Sequence, residues 1–384
     1  AVSVVLLVGA GLLLRTFLNL RSIDVGADLE AVVTMDVAVP TLGRSSAEIA
    51  DVYELIRNDV SGIPGVTSAA VGSTLPLSPQ SFIIDFNAEG YTPEPGRPAP
   101  VASFRAVTPD YFSTLGIPVV AGREFGTGDD GQIDKVVVIN QTLANMYFPD
   151  INPIGRHIAR VGDVLRFIDV SDEWRRIVGV VGDVKGVDLE GTSSAAVYQP
   201  MAQEHFGSLL AVRADQTPEA LIPAIISLIR NLESDAPVTD AQVLWQRRSE
   251  VIAPQRLNAV VIMAFSVLAI AIAAVGVAGV LGFSVSQRTK EIGIRLALGA
   301  EATRVRGMVL KEGLILALAG VGVGAVAALA SGRVVSGLLY GVSAVDPKTF
   351  VGVFALLFAI TVAAAWVPAW VASRVEPVTA LRDE

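Results

Sequence analysis

Leu257-Asn-Ala-Val-Val-Ile-Met-Ala-Phe-Ser-Val-Leu-Ala-Ile-Ala-Ile-Ala-Ala-Val-Gly-Val-Ala-Gly-Val-Leu-Gly-Phe-Ser-Val-Ser-Gln287 runs for 31 residues without a charge. A helix needs about 20 apolar residues to cross a hydrocarbon core about 30 Å thick, so this stretch reads as a membrane span. Residues 313–332 and 349–373, uncharged over 20 and 25 positions, read the same way. A fourth apolar stretch, Ala1–Leu14, stops at Arg15 and is too short to span alone. The chain opens on Ala, so the simplest expectation is a truncated first helix that begins upstream. A signal peptide is the rival reading, but the basic n-region is missing and no clear small-x-small cleavage site follows.

The composition agrees. Of 384 residues, 52% are hydrophobic and 17% charged, and the mean hydropathy is +0.56. A soluble domain carries about a quarter charged residues, so a purely soluble globular protein is excluded. The net charge of -9 argues against nucleic acid, because phosphate binding needs a basic face. With no cysteine and only His157 and His205, disulfide scaffolds, thiol catalysis and Cys/His zinc sites are ruled out.

Charge also sets the topology. Residues 16–256 hold 18 Lys+Arg against 31 Asp+Glu, whereas residues 257–384 hold 10 against 7. Six of those ten basic residues (Arg288, Lys290, Arg295, Arg304, Arg306 and Lys311) lie in the short loop between the first two complete spans. The positive-inside rule places that loop in the cytoplasm and the large acidic segment outside. Arg15 and Arg21 fall on the outer side against the rule, which long translocated domains weaken. The expected order is one helix, a large outer domain, then three helices. The boundaries are 1–19, 20–255 and 256–384, with spans at about 257–284, 310–332 and 349–372.

Within the outer segment, Ala31–Val39 alternates like a strand, Ser45-Ser-Ala-Glu48 reads as a capping box opening a helix, and Val66–Gly72 reads as a second strand. Ser208–Arg213, a helix opened by Thr217-Pro218-Glu219, and Val238–Leu244 repeat the pattern. The two helices share a tetrapeptide, Leu55-Ile-Arg-Asn58 and Leu228-Ile-Arg-Asn231. Two βαβ units at 31–73 and 207–245 are expected to flank a mainly β insertion at about 82–200, rich in Gly, Pro and Asp. The fold class is therefore a membrane α-helical bundle of four helices plus an α/β extracytoplasmic domain.

No catalytic or cofactor constellation emerges. A P-loop needs Gly directly before its Lys, and the five lysines follow Asp134, Val184, Thr289, Leu310 and Pro347. Gly191-Thr-Ser-Ser-Ala195 only faintly resembles a nucleophile elbow and reads as a polar loop. Thr127–Asp134 lacks the Asp spacing and distal Glu of a calcium loop. His157 and His205 have no carboxylate at metal-triad spacing. In the spans, Gly320 and Gly324 form a GxxxG step and Ala274, Ala278 and Gly282 a small-xxx-small row. Either serves packing inside one bundle or a dimer face. Trp366 and Trp370 fit an aromatic belt at the inner end of the last span. The uncharged runs leave a polar conduction path poorly supported.

The inner loop is the most informative segment: Arg288-Thr-Lys-Glu-Ile-Gly-Ile-Arg-Leu-Ala-Leu-Gly-Ala300. Ile292, Leu296 and Gly299 share one helical face, and Glu291 and Arg295 form an i,i+4 pair beside it. A short amphipathic helix here serves either as a docking face for a cytoplasmic partner or as an interfacial helix resting on lipid headgroups.

That run, with Arg304 and Glu312 after it, resembles the signature of FtsX-like ABC transporter permeases. The ending Pro368-Ala-Trp-Val-Ala-Ser-Arg374-Val-Glu-Pro377-Val-Thr-Ala380-Leu-Arg382 resembles their C-terminal signature. Phe104-Arg-Ala-Val-Thr-Pro-Asp-Tyr-Phe112, Gly122-Arg-Glu-Phe125, Val138-Ile-Asn-Gln141 and Pro153-Ile-Gly155 resemble a MacB-like periplasmic core. The opening Leu12–Leu20 is similar to the second half of acidobacterial-type duplicated permeases.

The resemblance implies a bacterial inner-membrane permease subunit without catalysis or cofactor of its own, driven by a separate cytoplasmic ABC ATPase. It also implies a second permease unit, either an identical chain or a fused N-terminal half, and a lipid surround. ATPase closure would move the loop helix, and the spans would relay that motion to the outer domain, for export or extraction of a substrate. Carried over by position, Arg288, Glu291, Gly293, Arg295, Leu298, Gly299 and Ala300 form the coupling region. The alternative within the same resemblance is a non-transporting transmitter or scaffold that regulates a cell-wall enzyme.

Overall fold

The computed structural model describes residues 2–79, 82–91, 99–129, 134–161, 173–189, 191–204, 206–215, 217–298, 301–335, 339, 341–343 and 345–373. It divides into two units, Ala1–Ser22 with Ile252–Glu384, and Ile23–Val251. Helix α1 occupies Val2–Ser22, 21 residues. At about 1.5 Å per residue that is length enough for a span. The expectation that Ala1–Leu14 is too short to span alone is thereby corrected, because the helix continues through Arg15. Arginine is a good helix former, and Arg15 is neutralised in place by an ion pair with Asp346.

The second unit starts with β1 (Val32–Val37), α2 (Ser46–Ser61) and β2 (Val66–Gly72). An insertion follows: β3 (Ile83–Ala88), β4 (Val101–Val107), α3 (Tyr111–Leu115), β5 (Val119–Gly122), β6 (Val136–Asn140), α4 (Gln141–Tyr147), β7 (His157–Val161), β8 (Arg175–Val181) and β9 (Ala196–Pro200). The unit closes with β10 (Leu209–Ala214), α5 (Ile222–Leu232), β11 (Val238–Val243) and α6 (Leu244–Val251).

The two βαβ units interleave. The strand order is β11-β1-β10-β2, with every neighbouring pair antiparallel. Each unit's own strands are thus separated by a strand of the other, the split βαβ arrangement. Both helices lay their apolar faces against this sheet, joining Val33, Met35, Val71 and Leu210 in one core. The shared tetrapeptide has a structural cause: its isoleucines, Ile56 and Ile229, are both fully buried there. At the start of α2 the capping box is formed. The Glu48 N–H donates to Ser45 Oγ at 3.3 Å, and the Ser45 N–H donates to Glu48 Oε2 at 2.7 Å.

The insertion closes on itself. β4 pairs with β3, β3 with β7, β7 with β8, β8 with β6, β6 with β9, and β9 returns to β4. A closed ring of this kind leaves no free sheet edge. Its core gathers Phe86, Phe104, Ile139, Ile158, Ile177 and Val197. Two arginines are also buried in this part: the Arg160 and Arg175 side chains are each 1% exposed and share Glu204. Glu204 accepts from Arg175 at 3.2 Å and from Gln199 Nε2 at 2.8 Å, and Arg160 lies over the Phe104 ring at 5.5 Å. Burial, reinforced by Arg160 and opposed by Glu204, pushes Arg175 down to about 10.

The membrane unit continues with α7 (Ala253–Gln287), α8 (Thr289–Ala297), α9 (Ala302–Val335) and α10 (Pro347–Ala372). Among the described residues α1, α7, α9 and α10 are the helices long and apolar enough to cross a membrane. Asp346 caps α10, accepting from the Thr349 N–H at 2.9 Å. Two glycines that the small-residue motifs do not include stand at close helix approaches. A Cβ at Gly313 would stand 3.0 Å from Leu281 Cδ1 and 3.3 Å from Ala365 Cβ, and one at Gly11 would stand 2.7 Å from Thr349 Cγ2.

Candidate coupling site

The inner loop is built from the end of α7, all of α8 and the start of α9. The Arg288 N–H ends α7 by donating to Val285 O at 3.1 Å, and the Ile292 N–H donates back to Arg288 O at 2.9 Å, so α8 starts without a spacer. Thr289 Oγ1 donates to Ser286 O at 2.9 Å and tightens the same corner.

Two side chains of α8, Ile292 and Arg295, then hold it against the bundle, and Arg288 braces the corner that leads into it. Ile292 is 1% exposed and packs with Leu281, Val285, Val305, Val309 and Ala369. Arg288 donates to Glu312 Oε1 at 2.7 Å while Ser284 Oγ donates to Glu312 Oε2 at 3.2 Å, tying the end of α7 to α9. Arg295 pairs with Glu291 and reaches Met308 Sδ at 3.4 Å. Ile292, which the sequence places on a candidate docking face, therefore turns inward. The apolar surface left outside belongs to Ile294, 47% exposed, and Leu298, 83% exposed.

Of the candidate coupling residues, Glu291 and Arg295 pair with each other, Arg288 pairs instead with Glu312, and Leu298 is left open. Gly293 lies within α8, and Gly299 and Ala300 lie outside the described residues. Sequence reasoning ties Glu312 to the motif without a role and overlooks Ile294. A polar residue facing an arginine across 24 positions and a lone apolar residue beside Gly293 are weak signals in a single sequence. In the packing rows, Gly324 is buried and Gly320, Ala274, Ala278 and Gly282 are half-buried. A Cβ at Gly282 would meet nothing within 4 Å.

The remaining candidates have ordinary partners. His157 Nδ1 lies 2.7 Å from Glu89 Oε2, and that hydrogen bond holds the Glu89 carboxyl below the usual range. Tertiary structure thus supplies a carboxylate that spacing does not. No group of three metal-ligating side chains forms among the described residues, and His205 lies outside them. Asp129, in the stretch considered as a cation loop, is taken by Arg123 at 2.6 and 2.9 Å. Thr192, Ser193 and Ser194 line a polar cavity of about 400 Å³ with Arg105, Lys185 and Asp188, and no histidine among the described residues lines it.

Four apolar spans, a large β-rich unit inserted after the first and a clamped amphipathic helix in an inner loop define a permease-type membrane subunit. Residues 1–231 match the model of the MacB-like periplasmic core domain, and residues 263–377 match the FtsX-like permease C-terminal model. The chain belongs to this family of MacB-like, FtsX-like permeases of ABC-type transporters. It is an inner-membrane protein, and its β-rich unit is periplasmic.

A probable export ATP-binding/permease protein of Pseudomonas fluorescens is 23% identical over 96% of this chain and 58% of its own length. The macrolide export ATP-binding/permease protein MacB of Neisseria gonorrhoeae is 22% identical over 97% of this chain and 59% of its own. The chain therefore spans about three fifths of the length of these relatives. Among solved structures, the periplasmic region of MacB from Actinobacillus actinomycetemcomitans aligns with a TM-score of 0.41 at 16% identity, over 62% of this chain and 97% of that one.

Proposed function

We propose that this chain is a permease subunit that couples ATP hydrolysis by a separate cytoplasmic P-loop ATPase to displacement of its periplasmic unit, in export or extraction of a substrate handled on the periplasmic side. The observation that carries this reading is the clamping of α8. A displacement applied to the exposed Ile294–Leu298 surface has no slack to absorb it, because Ile292 is packed in the bundle and Arg288 is tied to Glu312. α7 then runs as one uninterrupted helix of 35 residues, a rod of about 52 Å. Only Ile252 separates it from α6 along the chain. The uncharged spans support transmission of motion over passage of a polar substrate between helices. The names of the relatives, which join ATP-binding and permease functions, support the ATPase and the export direction.

A second permease unit completes this assembly. The row Ala274, Ala278 and Gly282 supports it, because the open space beside Gly282 lets another helix approach closely.

The test is a mild-detergent pull-down of the full chain from its native membrane with the co-purifying proteins identified by mass spectrometry. Wild type is expected to recover a P-loop ATPase. Leu298→Asp, at an exposed side chain, is expected to reduce recovery roughly tenfold, as truncation of an anchor residue does, with membrane insertion unchanged. Recovery at the wild-type level in both Leu298→Asp and Arg295→Glu would overturn the docking assignment. Recovery of periplasmic proteins without an ATPase would favour a transmitter of signals to a cell-wall enzyme.

A further inference from the structure

A lateral groove of about 280 Å³ lies between α9 and α10. Its walls are Leu310 and Leu314 on one helix and Phe358 and Val362 on the other. Gly307 opens one end, since a Cβ there would meet nothing within 4 Å. Thr361 lies between the walls, and its hydroxyl already donates to Leu357 O at 2.8 Å, so it asks for no polar ligand.

Two observations fix the depth and the charge of this groove. Ala365 lines it, and the next residue, Trp366, is exposed, as is Trp370 one turn further. Exposed tryptophans mark the membrane–water interface. Lys311 is exposed at the lip. Among the described residues, Arg288 and Arg295 are taken by Glu312 and Glu291, whereas no acidic side chain pairs with Lys311. Arg304, seven residues earlier on α9 and so on the same face, is also exposed.

We propose that this groove holds one anionic phospholipid of the inner leaflet. Its acyl chain lies between the Leu310–Leu314 and Phe358–Val362 walls, and its phosphate meets the Lys311 ammonium, with Arg304 one step nearer the cytoplasm. A second copy of the chain is the weaker occupant. An apolar helix seated there would bury the ammonium without a partner, at a desolvation cost that a lipid avoids by bringing its own anion. The lysine stem can lie along the apolar wall while the charge reaches headgroup level.

The test is native mass spectrometry of the full chain in mild detergent, exposed equally to dioleoylphosphatidylglycerol and dioleoylphosphatidylcholine. One ammonium near the surface is expected to give about a fivefold preference for the anionic lipid. Lys311→Gln is expected to bring retention of the two lipids close to equality, while Lys290→Gln, away from the groove, keeps the wild-type preference. Thr361→Trp, which fills the groove, is expected to lower retention of both lipids. Equal retention of the two lipids by wild type, or an undiminished preference in Lys311→Gln, would overturn the proposal. So would a Thr361→Trp chain that changes its monomer–dimer ratio and keeps its lipid. No ATPase enters the experiment, so its result is independent of the coupling assignment.

Discussion

The two units of this protein place their side chains by opposite rules. In the periplasmic unit Val33, Met35, Ile56, Phe86, Phe104 and Ile139 are inside. In the membrane unit Leu257, Phe265, Val275 and Phe283 face outward along α7, and the buried residues include Ala365, Ala369 and Ala372. The solvent explains the inversion. Water drives large apolar side chains together, whereas lipid is as apolar as leucine and leaves helix association to close packing. The bundle core therefore mixes Leu7, Leu12, Leu281 and Ile292 with Ala365, Ala369 and Ala372 while other large side chains face the lipid. Charge is inverted too. The periplasmic unit buries Arg160 and Arg175 around Glu204, while the bundle keeps Arg288, Glu291, Arg295 and Glu312 at the inner ends of its helices.

Substitutions in each unit put this contrast at risk. The largest effect is expected from Glu204→Gln, which leaves two buried guanidinium groups without their shared anion. Breaking a buried pair costs about 3 kcal/mol or more, read as an earlier denaturant midpoint for the periplasmic unit with the membrane helices unaffected. A loss below about 1 kcal/mol, the range of a surface pair, would show that the cluster is hydrated. Next comes Gly313→Val, which drives a branched side chain against Leu281 and Ala365. Overpacking costs about 1–3 kcal/mol, measured by thermal unfolding in detergent. Gly282→Ala, with open space beside it, is expected to leave the single chain as stable as wild type.

Ser45→Ala removes one half of the capping box and is expected to cost about 1 kcal/mol in the periplasmic unit, without altering the bundle. The smallest effect concerns Asp129, whose carboxyl the Arg123 guanidinium holds below its usual range, with the Gly126 N–H assisting and burial opposing. A carboxyl depressed in the folded state stabilises above its unfolded value of about 3.9 and loses that contribution as pH falls through the folded value. Asp129→Asn is thus expected to lower stability by about 0.5 kcal/mol at neutral pH, and the gap to wild type should close on acidification below pH about 4. A gap that stays constant with pH would assign the loss to packing.

Much of this contrast is legible in the residues alone. The uncharged runs at 257–287, 313–332 and 349–373 announce spans because burying a charge in hydrocarbon is costly wherever the chain goes. Ser45-Ser-Ala-Glu48 announces a helix start because its bonds form within one turn. The coupling run can be located in this way, but not oriented. Both faces of α8 carry apolar residues, and only packing against Leu281, Val305 and Ala369 decides that Ile292 goes in and Ile294 and Leu298 stay out.

Local and periodic features thus follow from the order of residues: which segments are helices or strands, which are apolar enough for lipid, and which side of the membrane the basic loop takes. The long-range pairings are a matter of packing. Packing set β10 between β1 and β2 and returned β9 to β4, closing the insertion into a ring. It brought Asp346 to Arg15 and chose Gly313, outside the GxxxG step, as a point of close helix approach. These choices join residues dozens to hundreds of positions apart. Each depends on which surfaces remain unburied after the local elements have formed, and no window of the chain contains that information.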